Sequence, residues 1–291
     1  PLHGTDFWLK PAARQRPCAS RLYLGACLLQ RSGAMRFALL TAPMLALALC
    51  AAPASADPPS AALRLYAAGD YLAAAASAEA QASPAALVFA ARALMAACIT
   101  SPHGREVDDL LVHAEGSAAA ALALDPSSVE ARLQLAFTLG ARARRTSLPE
   151  AIARAYAPRG RRLIEEALTL APNNADAHAL LGAWHLEVLR RGGRAGATLY
   201  GARLETGMAE FERARSLAPG DALIAIQYAV ALLQLNADRF APEAAALLGE
   251  AGGGGRDAFE THARRQARYI LHVLETDGPR AAERATRAAF L

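Results

Sequence analysis

Two histidines, His178 and His185, lie seven residues apart, and on a continuous helix this spacing places both imidazoles on one face. Such a pair could begin a metal site, which needs three or four ligands. The sequence shows no evident third ligand, no His-Glu-x-x-His motif and no cysteine pair. We therefore predict no metal site, and we expect His185 to be a hydrogen-bonded core residue.

The sequence also lacks the residues, at the required spacing, for covalent catalysis or phosphate binding. The 31 basic residues include a single lysine, Lys10, so beyond that position no lysine can grip a phosphate or form a Schiff base. Glycines 252–255 lack the strand and the lysine of a phosphate loop, and they are predicted to be a flexible connector. Cys98 lies among apolar residues that raise the pKa of a thiol. We predict no catalytic residues, no cofactor and no enzymatic activity.

The first part of the sequence has the layout of a secretory signal. Met35 is followed by a basic residue, an apolar stretch over residues 37–49 and a small-x-small pattern that ends at Ala56. We interpret residues 1–34 as a leader upstream of the start codon and residues 35–56 as a signal peptide. The mature protein is then expected to be periplasmic or secreted.

Two alternatives for this segment stay open. Residues 37–56 are long enough to span a bilayer if they are not cleaved. Cys50 faintly resembles the cysteine of a lipoprotein box, although Leu49 stands where that motif has a small residue. A membrane-anchored or lipid-anchored protein is therefore the less favoured prediction.

Cleavage at this point would change the charge balance. The full chain has a net charge of +4, whereas residues 57–291 contain 25 arginines against 26 acids. The basic excess thus lies in the leader, and it gives no support for nucleic-acid binding. Cys98 is the one cysteine of four that remains, so no intramolecular disulfide is expected.

Self-similar segments recur along the rest of the chain. Pro126, Pro172 and Pro219 are spaced by 46 and 47 residues, and an alanine stands five residues before each of them. Twelve residues before each proline the side chain is always small, at Ala114, Gly160 and Gly207. Small residues two turns apart on one helix face predict a close approach of another helix. The period therefore indicates a helical hairpin that buries its apolar side against its neighbours.

These offsets resemble the tetratricopeptide repeat. Residues 174–185 follow the pattern of its first helix, and Gly207, Phe211, Ala214 and Pro219 follow the pattern of its second. The resemblance implies an all-α solenoid of helical hairpins over residues 57–251. Each unit is 12 or 13 residues longer than the standard repeat, which predicts extended connections within the repeats. Residues 252–291 are interpreted as a glycine linker and a C-terminal capping helix pair.

A narrower resemblance is carried by residues 181–188 with Trp184, by residues 197–201 and by the helix with Phe211 and Ala214. This part of the sequence is similar to the regulator of microtubule dynamics family, which has a tetratricopeptide-like helical domain. Because an exported protein would not meet microtubules, the resemblance is taken to imply the fold alone.

The first helices of stacked tetratricopeptide hairpins line a concave groove, which is the predicted binding surface. Trp184 and Phe137 are the expected large anchors. The groove positions carry no basic residue, so capture of a peptide carboxylate is not expected. An apolar groove would instead accept an amphipathic helix of a partner, the chain's own C-terminal helix or another subunit. The predicted groove residues are Leu133, Phe137, Ala179, Ala183, Trp184, Ile226 and Val230.

Arginines in the extended connections form a second candidate surface, because stacked repeats superpose equivalent positions on one edge. Such an edge could bind anionic lipid, anionic glycan or an acidic protein. Local pairing with acids is the competing interpretation. The residues of this predicted edge are Arg142, Arg144, Arg145, Arg161, Arg162, Arg190, Arg191 and Arg194.

Together these patterns predict an exported scaffold that mediates protein–protein interaction in the periplasm or cell envelope. The alternative is an envelope-associated module that binds anionic lipid or glycan through the arginine edge, with contact to a membrane surface. The sequence does not fix the partner or the oligomeric state.

Overall fold

A computed structural model describes residues 58, 60–101 and 106–289, which all belong to one compact unit. The described residues form helices and turns and contain no strand. The leader and signal predictions, at residues 1–34 and 35–56, lie outside the described residues. The helices are α1 Ser60–Ala68, α2 Tyr71–Glu79, α3 Pro84–Thr100, α4 Glu106–Leu124, α5 Val129–Arg145, α6 Leu148–Ala153, α7 Tyr156–Leu170, α8 Ala175–Tyr200, α9 Leu204–Leu217, α10 Ala222–Glu250, α11 Ala258–Thr276 and α12 Pro279–Ala289.

The turns at the three repeat prolines have the same geometry. Two residues after each proline, Ser128, Asn174 and Asp221 cap the next helix through a side-chain oxygen. Their φ angles lie between −65° and −79° and their ψ angles between 106° and 117°. In each turn the backbone N–H of the capping residue donates to the carbonyl three residues earlier at 3.1 Å. The chain therefore bends in one way at all three positions, which confirms the helical repeat.

Two of the long helices are themselves hairpins. In α10 the backbone leaves the helical region at Asn236, whose side chain caps the second half by accepting from the N–H of Arg239. The Tyr228 hydroxyl donates to Glu243 Oε1 at 3.0 Å. In a straight helix these residues would be separated by about 22 Å. The chain therefore reverses direction at Asn236, and the two halves of α10 form a hairpin.

The extended connections predicted from the repeat length are short helices. After α5 the chain forms α6, which begins at a capping box in which Ser147 accepts from the N–H of Glu150. In the next hairpin α8 breaks at Gly193, and the final segment turns back so that Gly196 lies against Val188. A left-handed residue follows each inserted helix within two residues, Ala155 in one hairpin and Gly201 in the next, 46 residues apart.

The small residues of the repeat allow helices to approach closely between α8 and α9. A Cβ on Gly182 would lie 2.7 Å from Phe211 Cδ2, and a Cβ on Gly207 would lie 2.9 Å from Leu186 Cδ2. The Phe211 ring in turn stacks on Tyr228 of α10 with ring centroids 4.5 Å apart. The predicted close approach is therefore confirmed at Gly207. It is wrong at Gly160, where no atom lies within 4 Å of a Cβ position.

The first helices of successive hairpins pack side by side, so that α3 contacts α5, α5 contacts α8 and α8 contacts α10. The C-terminal pair α11 and α12 packs on α10, and α11 also contacts α1 and α3 at the other end of the stack. Ala258 at the start of α11 lies 3.3 Å from the Cβ position of Gly69 in the first hairpin. The solenoid thus closes on itself through α11, which the sequence did not predict.

Within the described residues, no helix has both the length and the apolar character that a membrane span requires.

Candidate functional site

A cavity of about 130 Å³ lies on the concave side, where α3, α5, α8, α10 and α11 meet. We call it the inner groove. Its apolar wall is formed by residues from five helices, and Phe259 of α11 closes one side. The apolar residues that line the inner groove are Ile99, Phe137, Ala183, Leu186, Leu223, Ile226, Val230, Ala231, Phe259 and Ala263.

The structure brings together four of the seven predicted groove residues, Phe137, Ala183, Ile226 and Val230. Leu133 and Ala179 do not line the inner groove, since they are 0% and 2% exposed and belong to the hydrophobic core. Each of these two lies one helical turn before a groove residue, where neighbouring helices cover the side chain. Their predicted place on the binding surface is therefore corrected to the core.

Trp184 is held inside the protein rather than presented to a partner. Its indole N–H donates to the Ala157 carbonyl of α7 at 2.8 Å, and the Arg161 guanidinium lies 5.1 Å from the ring centroid. The side chain lines a second cavity between α5 and α8, which adjoins the inner groove at Phe137 and Ala183. The ring thus fixes α8 against α7, while its predicted role as an anchor in the groove has no support in this position.

One edge of the inner groove is polar, which the sequence analysis missed. Arg144 lies seven residues after Phe137, and Arg190 lies seven residues after Ala183, so each shares a helix face with a predicted groove residue. That spacing was the signal that could have found them. The expectation that no basic residue faces the groove is therefore wrong. The polar lining consists of Arg144, Glu187, Arg190, Gln227 and Gln234.

The charges on this edge are unequal. Glu187 accepts two hydrogen bonds from Arg190, at 2.7 Å and 2.8 Å, and these bonds raise the pKa of Arg190. Burial lowers the pKa of Arg144, and the positive charges of Arg190 and Arg191 lower it further against the opposing effect of Glu187. The edge therefore holds the desolvated guanidinium of Arg144 near two further arginines, with Glu187 as the nearby carboxylate that raises its pKa.

The arginines of the predicted edge mostly have local partners. Their acids lie on three different helices, α4, α7 and α8. Arg191 instead donates to the Ala143 and Thr146 carbonyls at the end of α5, and Arg194 is exposed. Binding of an anionic partner by this edge stays a prediction. The ion pairs are Arg142 with Glu115, Arg145 with Asp108, Arg161 with Glu165, Arg162 with Glu166, and Arg190 with Glu187.

The two histidines have separate partners. His178 contacts Glu210 Oε2 at 2.6 Å and the Pro172 carbonyl at 3.0 Å. His185 is buried, and its Nδ1 accepts from the backbone N–H of Arg203 at 3.1 Å, as a core histidine was predicted to do. In the described part of the chain, no group of three or more His, Cys, Asp or Glu side chains could hold a metal ion.

The remaining candidate nucleophiles are structural. Cys98 is fully buried, and burial raises the pKa of its thiol to about 12, as expected from its apolar neighbours. Ser117 lies inside α4 and donates to Glu79 Oε1 at 2.7 Å. Neither side chain is poised for attack on a substrate.

Comparison with protein families matches residues 64–248 to the family described as regulator of microtubule dynamics protein 1-3. The matched region runs from α1 to the end of α10 and contains most of the inner groove. No curated protein and no solved structure matches the chain.

Proposed function

The chain belongs to the regulator of microtubule dynamics family, and from that premise we propose that it is a binding scaffold whose inner groove takes a helical segment of a partner protein. The observation that carries this proposal is the convergence of Phe137, Ala183, Ile226 and Val230, from three successive hairpins, on one cavity. A scaffold needs no reactive group, and the concave face supplies a binding surface without one.

An amphipathic helix fits the two sides of the inner groove. Its apolar stripe would pack on the wall formed by Phe137, Ile226 and Val230, as helices do in hydrophobic grooves. Its polar flank would meet Gln227 and Gln234, whose side chains can both donate and accept hydrogen bonds. Arg144 and Arg190 carry hydrogen-bond donors only, so they favour acceptor groups on that flank.

We further propose that the hairpins are tetratricopeptide repeats that carry an inserted short helix. The shared geometry of the three proline turns supports this, as do the close contacts of Gly182 and Gly207 at the α8–α9 crossing. The insertions lie at the far end of each hairpin from these turns, where they leave the stacking of successive units unchanged.

The scaffold is proposed to act in the periplasm or cell envelope, which rests on the signal-like pattern that ends at Ala56. The name of the family refers to microtubules, which an exported protein would not meet. We therefore carry over from the family a helical scaffold and not its cellular target.

Binding of anionic lipid or glycan through the arginine edge is the alternative proposal. The ion pairs of five of its eight arginines weigh against it, because a paired guanidinium must lose its carboxylate before it binds another anion. Salt dependence separates the two, since binding at an exposed cationic edge weakens steeply with ionic strength.

The test compares two single substitutions to arginine in the full chain. Val230→Arg places a charge in the inner groove, whereas Leu124→Arg adds the same charge at an exposed leucine on α4, away from the groove. Binding partners isolated with the wild-type chain are purified, and their affinities are measured by calorimetry. Val230→Arg is expected to weaken binding at least about tenfold and Leu124→Arg to leave it unchanged. Equal binding by all three chains, or a steep loss of binding at high salt, would refute the groove proposal.

A further inference from the structure

The second cavity is formed in part by the inserted segments of the repeat and adjoins the inner groove. It encloses about 130 Å³ between α5, α6, α7 and the α8 hairpin, and we call it the extension cavity. Trp184 and Tyr156 line it, and the residues that line both cavities are Phe137, Arg144, Ala183, Glu187 and Gln227. Because its walls include α6, a repeat of standard length would not form it.

The extension cavity is empty where the repeat pattern would place protein atoms. Gly160 of α7 is buried, yet no atom lies within 4 Å of its Cβ position. At the equivalent Gly207 the same position is filled by Leu186 and His185. Gly140 and Gly192, on two other walls, also have no atom within 4 Å. Glycines on three helices thus border this space, and at the equivalent of Gly160 one repeat later it is filled by neighbouring side chains.

A buried hydroxyl accompanies this space. The Tyr156 side chain is 4% exposed, and its hydroxyl makes no hydrogen bond of acceptable geometry within the described part of the chain. The hydrogen bond to Glu150 raises the pKa of Arg154 most, and the nearby Tyr156 hydroxyl raises it too, so the exposed Arg154 guanidinium is the polar neighbour of this hydroxyl. A buried hydroxyl whose polar neighbour is an exposed guanidinium at poor hydrogen-bond geometry is incompletely satisfied, so a bound group that completes it would be favoured.

The entrance lies beside α6. Leu148 and Ile152 line the extension cavity and are still 42% and 51% exposed, and none of the residues of α6 is buried. A small molecule can therefore enter past α6 without disturbing the core.

We propose that the extension cavity binds a small aromatic molecule that carries one hydroxyl or other hydrogen-bonding group. The volume is close to that of apolar cavities that hold a single benzene-sized ring, about 150 Å³. Trp184, Phe137 and Tyr156 offer aromatic faces and edges to such a ring, and the Tyr156 hydroxyl supplies the polar contact. This site is independent of the proposed scaffold function, because it requires no partner in the inner groove.

The test uses 4-methylphenol and toluene as probes, since they differ by the hydroxyl alone. Binding to the full chain is measured by ligand-observed NMR and calorimetry. Both probes are expected to bind, with 4-methylphenol about five- to tenfold tighter. Tyr156→Phe is expected to reduce this preference to near one while the affinity for toluene stays within about twofold of the wild-type value.

Substitutions at Gly160 locate the site. Gly160→Leu is expected to abolish the binding of both probes, and Gly160→Ala, which adds one methyl group to the empty space, is expected to weaken both several-fold. Gly116→Ala, at an exposed glycine inside α4, is the control and should leave binding unchanged. Gly160→Ala should also raise the melting temperature more than Gly116→Ala, because its methyl group is buried. The proposal is overturned if neither probe binds, if Gly160→Ala binds both as well as the wild type, or if Tyr156→Phe keeps the preference for 4-methylphenol.

Discussion

His185 shows how one buried side chain makes the fold sensitive to acid. Its Nδ1 accepts the backbone N–H of Arg203, the residue that precedes α9, so this nitrogen carries no proton in the folded chain. Burial lowers the pKa of His185, and the positive charge of Arg161 lowers it further. Protonation would therefore break the contact that positions the start of α9 and would place a charge in the core.

We predict that acid destabilises the protein through this residue. The unfolded histidine has a pKa of about 6.5, above its folded value, so below this pH the unfolded state binds a proton that the folded state does not. The stability that depends on the neutral form of His185 is fully present above about pH 6.5, and it is lost as the pH falls through the lowered pKa of the folded state. The free energy of unfolding, measured by urea titration between pH 7.5 and pH 5, should depend less on pH in His185→Leu than in the wild type. The exposed His272 provides the control, and His272→Gln should follow the wild-type curve; parallel curves for His185→Leu and the wild type would contradict the prediction.

At the scale of elements, the inserted helices are the feature that distinguishes these hairpins from the standard repeat. Both inserted helices, α6 and the last segment of α8, are followed within two residues by a residue with positive φ, 52° at Ala155 and 68° at Gly201. Glycine adopts this conformation without strain, whereas an alanine does not. The same turn is therefore relaxed in one hairpin and strained in the other.

Substitution of Ala155 by glycine and of Gly201 by alanine, made separately, should have opposite effects on stability. Ala155→Gly is expected to stabilise the protein by about 0.5 to 1 kcal/mol, because relief of the left-handed strain exceeds the added flexibility of the unfolded chain. Gly201→Ala is expected to destabilise it by about 1 kcal/mol, since the nearest atom to the new methyl group is 3.5 Å away and no clash contributes. Thermal unfolding measures both changes. Shifts of the same sign would show that the two turns are not equivalent.

The sequence predicted these elements well where a local signal marks them. The proline turns carry a capping residue two positions later, and Ser147 with Glu150 marks the start of α6, so each could be read from adjacent residues. The reversal inside α10 has no such signal. Asn236 stands among other polar residues, Gln234, Asp238 and Arg239, and the reversal there is shown only by the contact between Tyr228 and Glu243, fifteen residues apart.

At the scale of the whole molecule, the inner groove was predictable in position but not in composition. The repeat offsets identified Phe137, Ala183, Ile226 and Val230, because equivalent positions on stacked first helices face the same way. They could not show that Leu133 and Ala179 are covered, since this depends on how far each helix is overlapped by its neighbours. The polar edge was missed because its arginines, Arg144 and Arg190, lie two helical turns after the groove positions that the repeat offsets identified.

Closure of the solenoid by α11 is a tertiary property with no sequence period behind it. The glycines at 252–255 allow the turn after α10, and Gly255 in particular leaves no room for a side chain, because a Cβ there would lie 2.3 Å from the Thr261 nitrogen. Glu260 is buried at the start of α11 and forms ion pairs with Arg256 and Arg264, which fix this turn. α11 thereby forms one wall of the inner groove and joins the two ends of the stack.

A cross-link between the first hairpin and α11 tests this closed arrangement most directly. In a chain whose four native cysteines are replaced by alanine, Gly69→Cys and Ala258→Cys are introduced together, at Cβ positions 3.3 Å apart. Because Gly69 has a φ of 89°, Gly69→Cys is expected to lower stability, and the helical fold of the double variant is checked by circular dichroism. This separation is close to the range of about 3.5 to 4.5 Å found in disulfides. The account predicts that mild oxidation links the pair within one molecule, seen as a faster band on a non-reducing gel and as a linked peptide by mass spectrometry, while the single-cysteine chains stay unlinked. A folded, helical double variant that forms no intramolecular link would contradict the closed solenoid, and with it the inner groove as described.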